Sequence, residues 1–239
     1  MVQKTVWLPE IGELTLSKRR GNRNIRISIS AAGRVRVGIP TWLPYSAGIS
    51  FALSRKKWLL EHKAKHQILQ FQNGDRIGKS FRLRYQYDSA AAKTSTRVLD
   101  TEVIVKSNKH LSHDAVQEKT RLAAERALKK EAEKLLPPRL QELARRHNFR
   151  YSSLRIKKMS SRWGSCSSRQ NITLNFFLMQ LPWQLIDYVL LHELVHTKHL
   201  NHSASFWHEF ESVYPEAKSL RKEVNSYRPV INSVGLNMT

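Results

Sequence analysis

Two segments near the start of the chain alternate strictly between apolar and polar residues. NIRISIS (24–30) puts Ile25, Ile27 and Ile29 on one side, and RVRVGIP (34–40) does the same with Val35, Val37 and Ile39. A period of two marks a strand with one buried face, so these segments read as paired strands around a turn at AAG (31–33). Arg26, Arg34 and Arg36 fall on the opposite, solvent side. The pattern then changes. Over 46–70, Ile49, Ala52, Leu53, Trp58 and Leu59 recur near one helical face, and Ser46 can cap the start. NGD (73–75) is a turn, and SFRLRYQYD (80–88) and TRVLDTEVIVKS (96–107) read as further strands. From about Ser112 to Asn148 the pattern is helical with mixed charge outside. Ser112 or Asp114 sits near its cap, and Pro137 and Pro138 should kink or break it. LRIKKMSSRWGSCSS (154–168) and NITLNFFLM (171–179) read as two strands joined by SRQ (168–170). A helix from about Pro182 to Leu200 follows, ended at Asn201-His202, with Ser203 capping another through FWHEFESVY. The expectation is an α+β chain: a basic, β-rich region over 1–110, then a second part over 111–239 with a mixed sheet beside a helix.

Composition narrows the class. The apolar fraction of 41% and the 21 aromatic residues (six Trp, eight Phe, seven Tyr) suit a folded chain with a real core. Cys166 is the only cysteine, which excludes an internal disulfide framework and a multi-cysteine zinc knuckle. The N-terminus lacks the pattern of a secretory signal, and no apolar run nears the ~18 residues of a membrane span. The expected location is the cytoplasm, with no membrane partner. Lys and Arg outnumber Asp and Glu 41 to 19, a net charge of +22. The excess is densest in residues 1–100, with 19 basic and 6 acidic groups. That makes nucleic acid a possible partner of the basic N-terminal half. A merely solvated basic surface explains the same numbers, because no run interleaves aromatic and basic residues as a dedicated single-strand binder does.

HELVHTKHLNHSASFW (192–207) carries the chemistry. It holds four of the ten histidines, with Glu193 between the first two, directly after the apolar WQLIDYVLL (183–191). Imidazoles and a carboxylate are costly to bury without partners. His192 and His196, at i and i+4, share one helical face and can reach one ion at the ~2.0–2.1 Å of a Zn–N bond. Glu193, directly after the first ligand, points toward water on the metal and can act as general base. A catalytic zinc needs a third protein ligand and keeps its fourth position for water. His199 shares the helical face but stands about 10.5 Å from His192 along a straight helix. His202 is better placed if the chain turns at Asn201, a residue that tolerates the left-handed conformation. The spacing then matches the metzincin pattern, except that His199 stands where that pattern has Gly. Glu209 and Glu211 are fallback ligands. His208 reads as a surface residue, and Phe206 and Trp207 as packing that pins the second helix.

SRWGSCSS (161–168) lies where an edge strand beside such a helix would run. An edge strand can hold an extended peptide through backbone groups, and Gly164 permits close approach. Arg162, Trp163, Gly164 and His199 are therefore candidate substrate contacts, although Trp163 as core and Arg162 as a solvated cation explain the same residues. Cys166 reads as a small core residue that could also reach a metal.

RWGSC followed after a strand by HELVHTKHLNHSASFW resembles the YgjP-like zinc metallopeptidases, a group related to the SprT-like and WLM peptidases. The likeness extends to the basic opening KRRGNRNIRISISAAGRVRVGIP. It implies a zincin-like fold, His192, His196 and His202 as zinc ligands, Glu193 as the base, and a peptide or protein substrate. A departure lies at ASF (204–206), where the resemblance leads one to expect a charged residue before the Phe. SprT-like and WLM peptidases act on proteins crosslinked to DNA, which bears on this chain by analogy alone. The resulting expectation is a zinc-dependent peptidase. The rival is a nucleic-acid-binding module with a structural zinc closed by a fourth ligand such as Cys166, and a peptidase recruited to nucleic acid combines the two. Arg162, Tyr188, His199 and Tyr214 are the candidates for stabilising the oxyanion.

Overall fold

The computed structural model describes residues 3–9, 11–29, 35–65, 70–229 and 231. The expected turn at 31–33 and the end of the 46–70 helix, at 66–69, lie outside them. The chain divides into two compact units, Met1–Leu69 and Gln70–Thr239.

The first unit holds a four-stranded sheet of β1 (Gln3–Leu8), β2 (Gly12–Arg19), β3 (Arg26–Ile29) and β4 (Val35–Pro40), in the order β1-β2-β4-β3. The alternation places Leu14, Leu16, Val35, Val37 and Ile39 on one fully buried face. Helices α1 (Tyr45–Ser54) and α2 (Lys56–Lys65) belong to the same unit. A Cβ on Gly48 of α1 would clash with Ile39 and Leu16, so the small residue lets α1 lie directly on the sheet. The expected single helix is broken at Arg55, whose φ of −107° and ψ of 16° are not helical. The break divides the expected apolar face: Ala52 and Leu59 are buried, whereas Leu53 and Trp58 stay exposed. Pro44, not Ser46, occupies the N-cap.

The second unit contains β5 (Arg76–Ile77), β6 (Phe81–Tyr87), β7 (Ser95–Val98) and β8 (Glu102–Ser107) in the order β5-β6-β8-β7. This sheet packs on the long helix α3 (Asp114–Arg146), and its Phe81, Leu83, Val103 and Val105 join one core with the rest of the unit. The contacts therefore divide at 69/70, whereas the sequence pattern suggests a break near 110. Pro137 and Pro138 lie inside α3 without ending it. Two missing N–H donors remove two backbone bonds of a 33-residue helix, while Leu136 and Leu140 on either side are fully buried. The cap is His113, whose Nδ1 accepts from the Ala115 N–H, in place of Ser112 or Asp114.

A three-stranded mixed sheet follows, β9 (Ser153–Lys157), β10 (Gly164–Cys166) and β11 (Asn171–Asn175), in the order β10-β11-β9. The segment 154–168 is thus two strands, not one. β9 runs parallel to β11 and β10 antiparallel to it, so the chain must cross between them over 158–163. The buried Asn175 holds that crossing by donating from Nδ2 to the Met159 and Arg162 carbonyls at 2.8 and 3.0 Å. A short 3-10 turn, Phe176–Gln180, leads into α4 (Trp183–Val195), then α5 (Ala204–Val213) and α6 (Ala217–Ser226). Among the described residues no helix is long and apolar enough to cross a membrane.

Candidate metal centre

Helix α4 is buried along most of its length, from Leu185 to Val195. It ends earlier than the apolar pattern suggests: His196 is already the C-cap, and Thr197 Oγ1 donates to the Leu194 carbonyl at 2.7 Å as the chain turns away. Asn201 does not adopt the left-handed conformation; the non-glycine residues with positive φ among those described are Asn148 and Gln170. Asn201 works through its side chain instead, with Oδ1 accepting from the Ser203 N–H at 3.2 Å. Ser203 Oγ then accepts from the Phe206 N–H at 3.4 Å and starts α5. His202 is delivered one residue ahead of that cap, back toward the end of α4.

Three imidazoles meet there. His192 Nε2 lies 3.1 Å from His196 Nε2 and 3.1 Å from His202 Nε2. One ligand atom from each residue lies within 4.8 Å of the others. Two nitrogens bound at ~2.0–2.1 Å to one tetrahedral ion stand about 3.3 Å apart, so the spacing fits a shared cation. The protonation pattern agrees. His196 Nδ1 donates to the His199 carbonyl at 2.8 Å, which leaves Nε2 of the neutral ring as a bare lone pair. If Nε2 of His192 and His202 is bare as well, the lone pairs repel at this distance unless a cation lies between them. Burial, followed by the charges of His196, His202 and Arg221, pulls the His192 pKa down to about 3. Burial likewise lowers that of His196. Both rings are therefore neutral at pH 7, the form that coordinates metal. The fully buried Phe206 backs all three, with ring centroids 5.0, 4.6 and 4.7 Å from those of His192, His196 and His202.

Glu193 sits beside this cluster, buried, and its Oε2 has no hydrogen-bond partner among the described residues. Burial pushes its pKa up to about 8, against the opposing charge of Arg162. Gly164 explains how the carboxylate fits. A Cβ there would stand 2.5 Å from Glu193 Oε1 and 2.7 Å from its Cγ. The Glu193 side chain thus lies over bare backbone of β10, and the glycine of RWGSC makes room for an acid of this chain. Gly164→Ala should displace Glu193, costing about 1–3 kcal/mol of stability through overpacking. Hydrolysis should fall at least tenfold at unchanged metal content. Wild-type turnover in this variant would show that the carboxylate does not need its place.

Comparison with known proteins decides the family. The model of the YgjP-like metallopeptidase domain matches residues 23–227, well over half of the chain. The chain belongs to the YgjP-like metallopeptidases. A member of this family is a metal-dependent peptidase, and a peptide or protein is its substrate. Among solved structures, the chain is similar to the metallopeptidase zymogen abylysin of Pyrococcus abyssi, with 28% identity, 38% of this chain and 93% of that one covered, and a TM-score of 0.36. It is also similar to the metallopeptidase zymogen jannalysin of Methanocaldococcus jannaschii, with 24% identity, 36% and 90% coverage, and a TM-score of 0.33. No curated protein gives a significant match.

The other candidate residues of this YgjP-like chain separate by their partners. Glu209 is engaged by Lys198 at 2.6 Å and by His199 Nε2 at 3.1 Å, and Glu211 by Lys218 at 2.7 Å. Neither belongs to the three-nitrogen cluster. His199 is outside it too: its ring is held by Glu209, and its carbonyl orients His196. Cys166 is half-buried and absent from the cluster, with its thiol pKa pushed up to about 11 by burial and then by Glu193. His208 is exposed, and Trp163 packs against the core. Tyr214 donates to the Gln184 carbonyl at 3.1 Å, and Tyr188 is buried against His192 and Phe210. The sequence pattern did not reveal the lock on α4. Arg139 of α3 bonds Asp187 through both Nε (2.8 Å) and Nη2 (2.5 Å). Its two partners are 48 residues apart, so no local pattern announces the pair.

Proposed function

We propose that the chain hydrolyses peptide bonds with zinc held by Nε2 of His192, His196 and His202, and with Glu193 as general base. The observation that carries this reading is three imidazole Nε2 atoms converging beside a buried carboxylate whose Oε2 has no partner among the described residues. All-imidazole coordination suits zinc, and three protein ligands leave the fourth position open, as in catalytic sites. Bound there, the ion supplies Lewis-acid activation of a water and of the scissile carbonyl. Glu193 takes a proton at its carboxylate and returns it to the leaving amine, a role suited to a group whose pKa lies near 8. The apolar wall of Phe206, Phe210 and Tyr188 limits water around the reacting groups. β10 pairs with β11 and stands at the edge of its sheet, so its other side can take an extended peptide by strand addition. Arg162 and Trp163 precede that strand, and Arg162 is the cation whose charge reaches Glu193. Of the four oxyanion candidates it is the one assigned that task, because His199 and Tyr214 are engaged elsewhere and Tyr188 is buried. A structural zinc would need a fourth protein ligand, and Cys166 does not join the cluster.

Zinc-loaded protein is expected to cleave an unfolded protein substrate, to lose that activity to a chelator, and to regain it with added zinc. Absence of cleavage over a broad substrate panel at full zinc occupancy would overturn the proposal.

A further inference from the structure

The first unit has a sheet with two different faces. One is the core already described. The register assembles the other from all four strands. In one row Ser17 of β2 lies opposite Gly38 of β4, and Gly38 opposite Arg26 of β3. In the next, Thr15 lies opposite Arg36, and Arg36 opposite Ser28. Trp7 of β1 lies opposite Glu13 in the third row and is 76% exposed. Arg26, Ser28 and Arg36 are exposed, and Thr15 and Ser17 half-buried.

The charge of this unit is one-sided. Residues 1–69 contain thirteen Lys and Arg against three Glu and no Asp. On the described open face the one carboxylate is Glu13, a row away from Arg36. Arg26 and Arg36 have no ion pair or hydrogen bond among the described residues. They are diagonal neighbours on adjacent antiparallel strands, close enough to share one flexible polyanion. Between Ser17 and Arg26 the Asn22 side chain lies over Gly38, its nitrogen 3.1 Å from where a Cβ would stand. The exposed indole lies two strands and about two residues from Arg36, about 12 Å by strand spacing and rise.

We propose that this face binds single-stranded nucleic acid, with phosphates on Arg26 and Arg36, hydroxyls of Thr15, Ser17 and Ser28 beside them, and a base stacked on Trp7. Guanidinium groups and hydroxyls are the ordinary partners of phosphate, and an exposed indole is a stacking platform for any base. A flat sheet face suits an extended strand with splayed bases. The expected binding is sequence-tolerant and salt-sensitive. The four strands contribute one or two residues each, which is why no linear run of the sequence shows a single-strand binding pattern. The inference is independent of the metal chemistry and goes beyond it.

The test uses the full chain, zinc-loaded, with a fluorescein-labelled oligo-dT 12-mer followed by anisotropy from about 50 to 300 mM KCl. Affinity should fall with salt, and Trp7→Ala should weaken binding roughly tenfold at fixed salt. Arg26→Ala/Arg36→Ala should reduce the slope of log K against log salt by about 1.4, since each phosphate contact on a single strand contributes about 0.7. Circular dichroism must match wild type, and cleavage of a short peptide should be unchanged in both variants. No binding at the lowest salt, or variants with unchanged affinity and slope, would overturn the proposal. So would binding to vesicles with 30% phosphatidylserine but not to the oligonucleotide. Trp42, 66% exposed just beyond β4, makes that membrane arm a real competitor.

Discussion

Glu193→Gln is expected to keep its metal and its fold and to lose peptide hydrolysis by about 10²-fold or more, the usual scale for a missing general base. Gln preserves the shape that lies over Gly164 but cannot accept the proton. The same substitution has a stability signature in the metal-free protein. Burial raises the Glu193 pKa from 4.5 to about 8 in the folded state. The folded carboxyl thus stays protonated where the unfolded one ionises. Its contribution to stability is full below about pH 4.5 and is lost progressively as pH rises to about 8. Metal-free Glu193→Gln should therefore gain on wild type across that window by a few kcal/mol, then run parallel above it. His192 titrates in both proteins and cancels in the difference. The measurements are turnover at matched metal content and thermal unfolding from pH 4 to 9. Undiminished turnover in the variant would refute the assigned base, and a pH-independent stability difference would refute the buried carboxylate.

His202→Ala is expected to lose stoichiometric zinc, and His192→Ala and His196→Ala likewise. A three-ligand site has none to spare, and metal bound to the folded state alone adds stability by mass action, about 2.7 kcal/mol at a free concentration 100 times Kd. The zinc-dependent rise in thermal midpoint should vanish in each variant. His202 is the informative position, because it alone comes from beyond α4 and its C-cap, and its failure to matter would return attention to Glu209 and Glu211. Their engagement by Lys198, His199 and Lys218 argues against that outcome.

Local periodicity shows in the sequence for several single elements, although the unbroken 46–70 helix and the caps at Ser46 and at Ser112 or Asp114 do not hold. The alternation over 24–40 defines the buried face of the first sheet, the i, i+4 histidines share one end of α4, and Ser203 caps α5 as its spacing suggests. What depends on distant partners does not show. Pro137 and Pro138 signal a break that burial of Leu136 and Leu140 overrides. The crossing between β9 and β10 is set by their pairing with β11, which follows both in the chain. Gly164 suggested close approach of a peptide backbone; its bare Cα accommodates Glu193, 29 residues on. α6, whose buried Leu220 and Val224 alternate with charge, was not anticipated from its mainly polar composition.

The coordination shell of zinc in the purified wild-type protein, read by X-ray absorption at the zinc edge together with metal analysis, tests the account most directly. The prediction is one zinc per chain, with three imidazole nitrogens, one non-protein oxygen and no sulfur. A Zn–S shell from Cys166, or a closed set of four protein ligands, would contradict it.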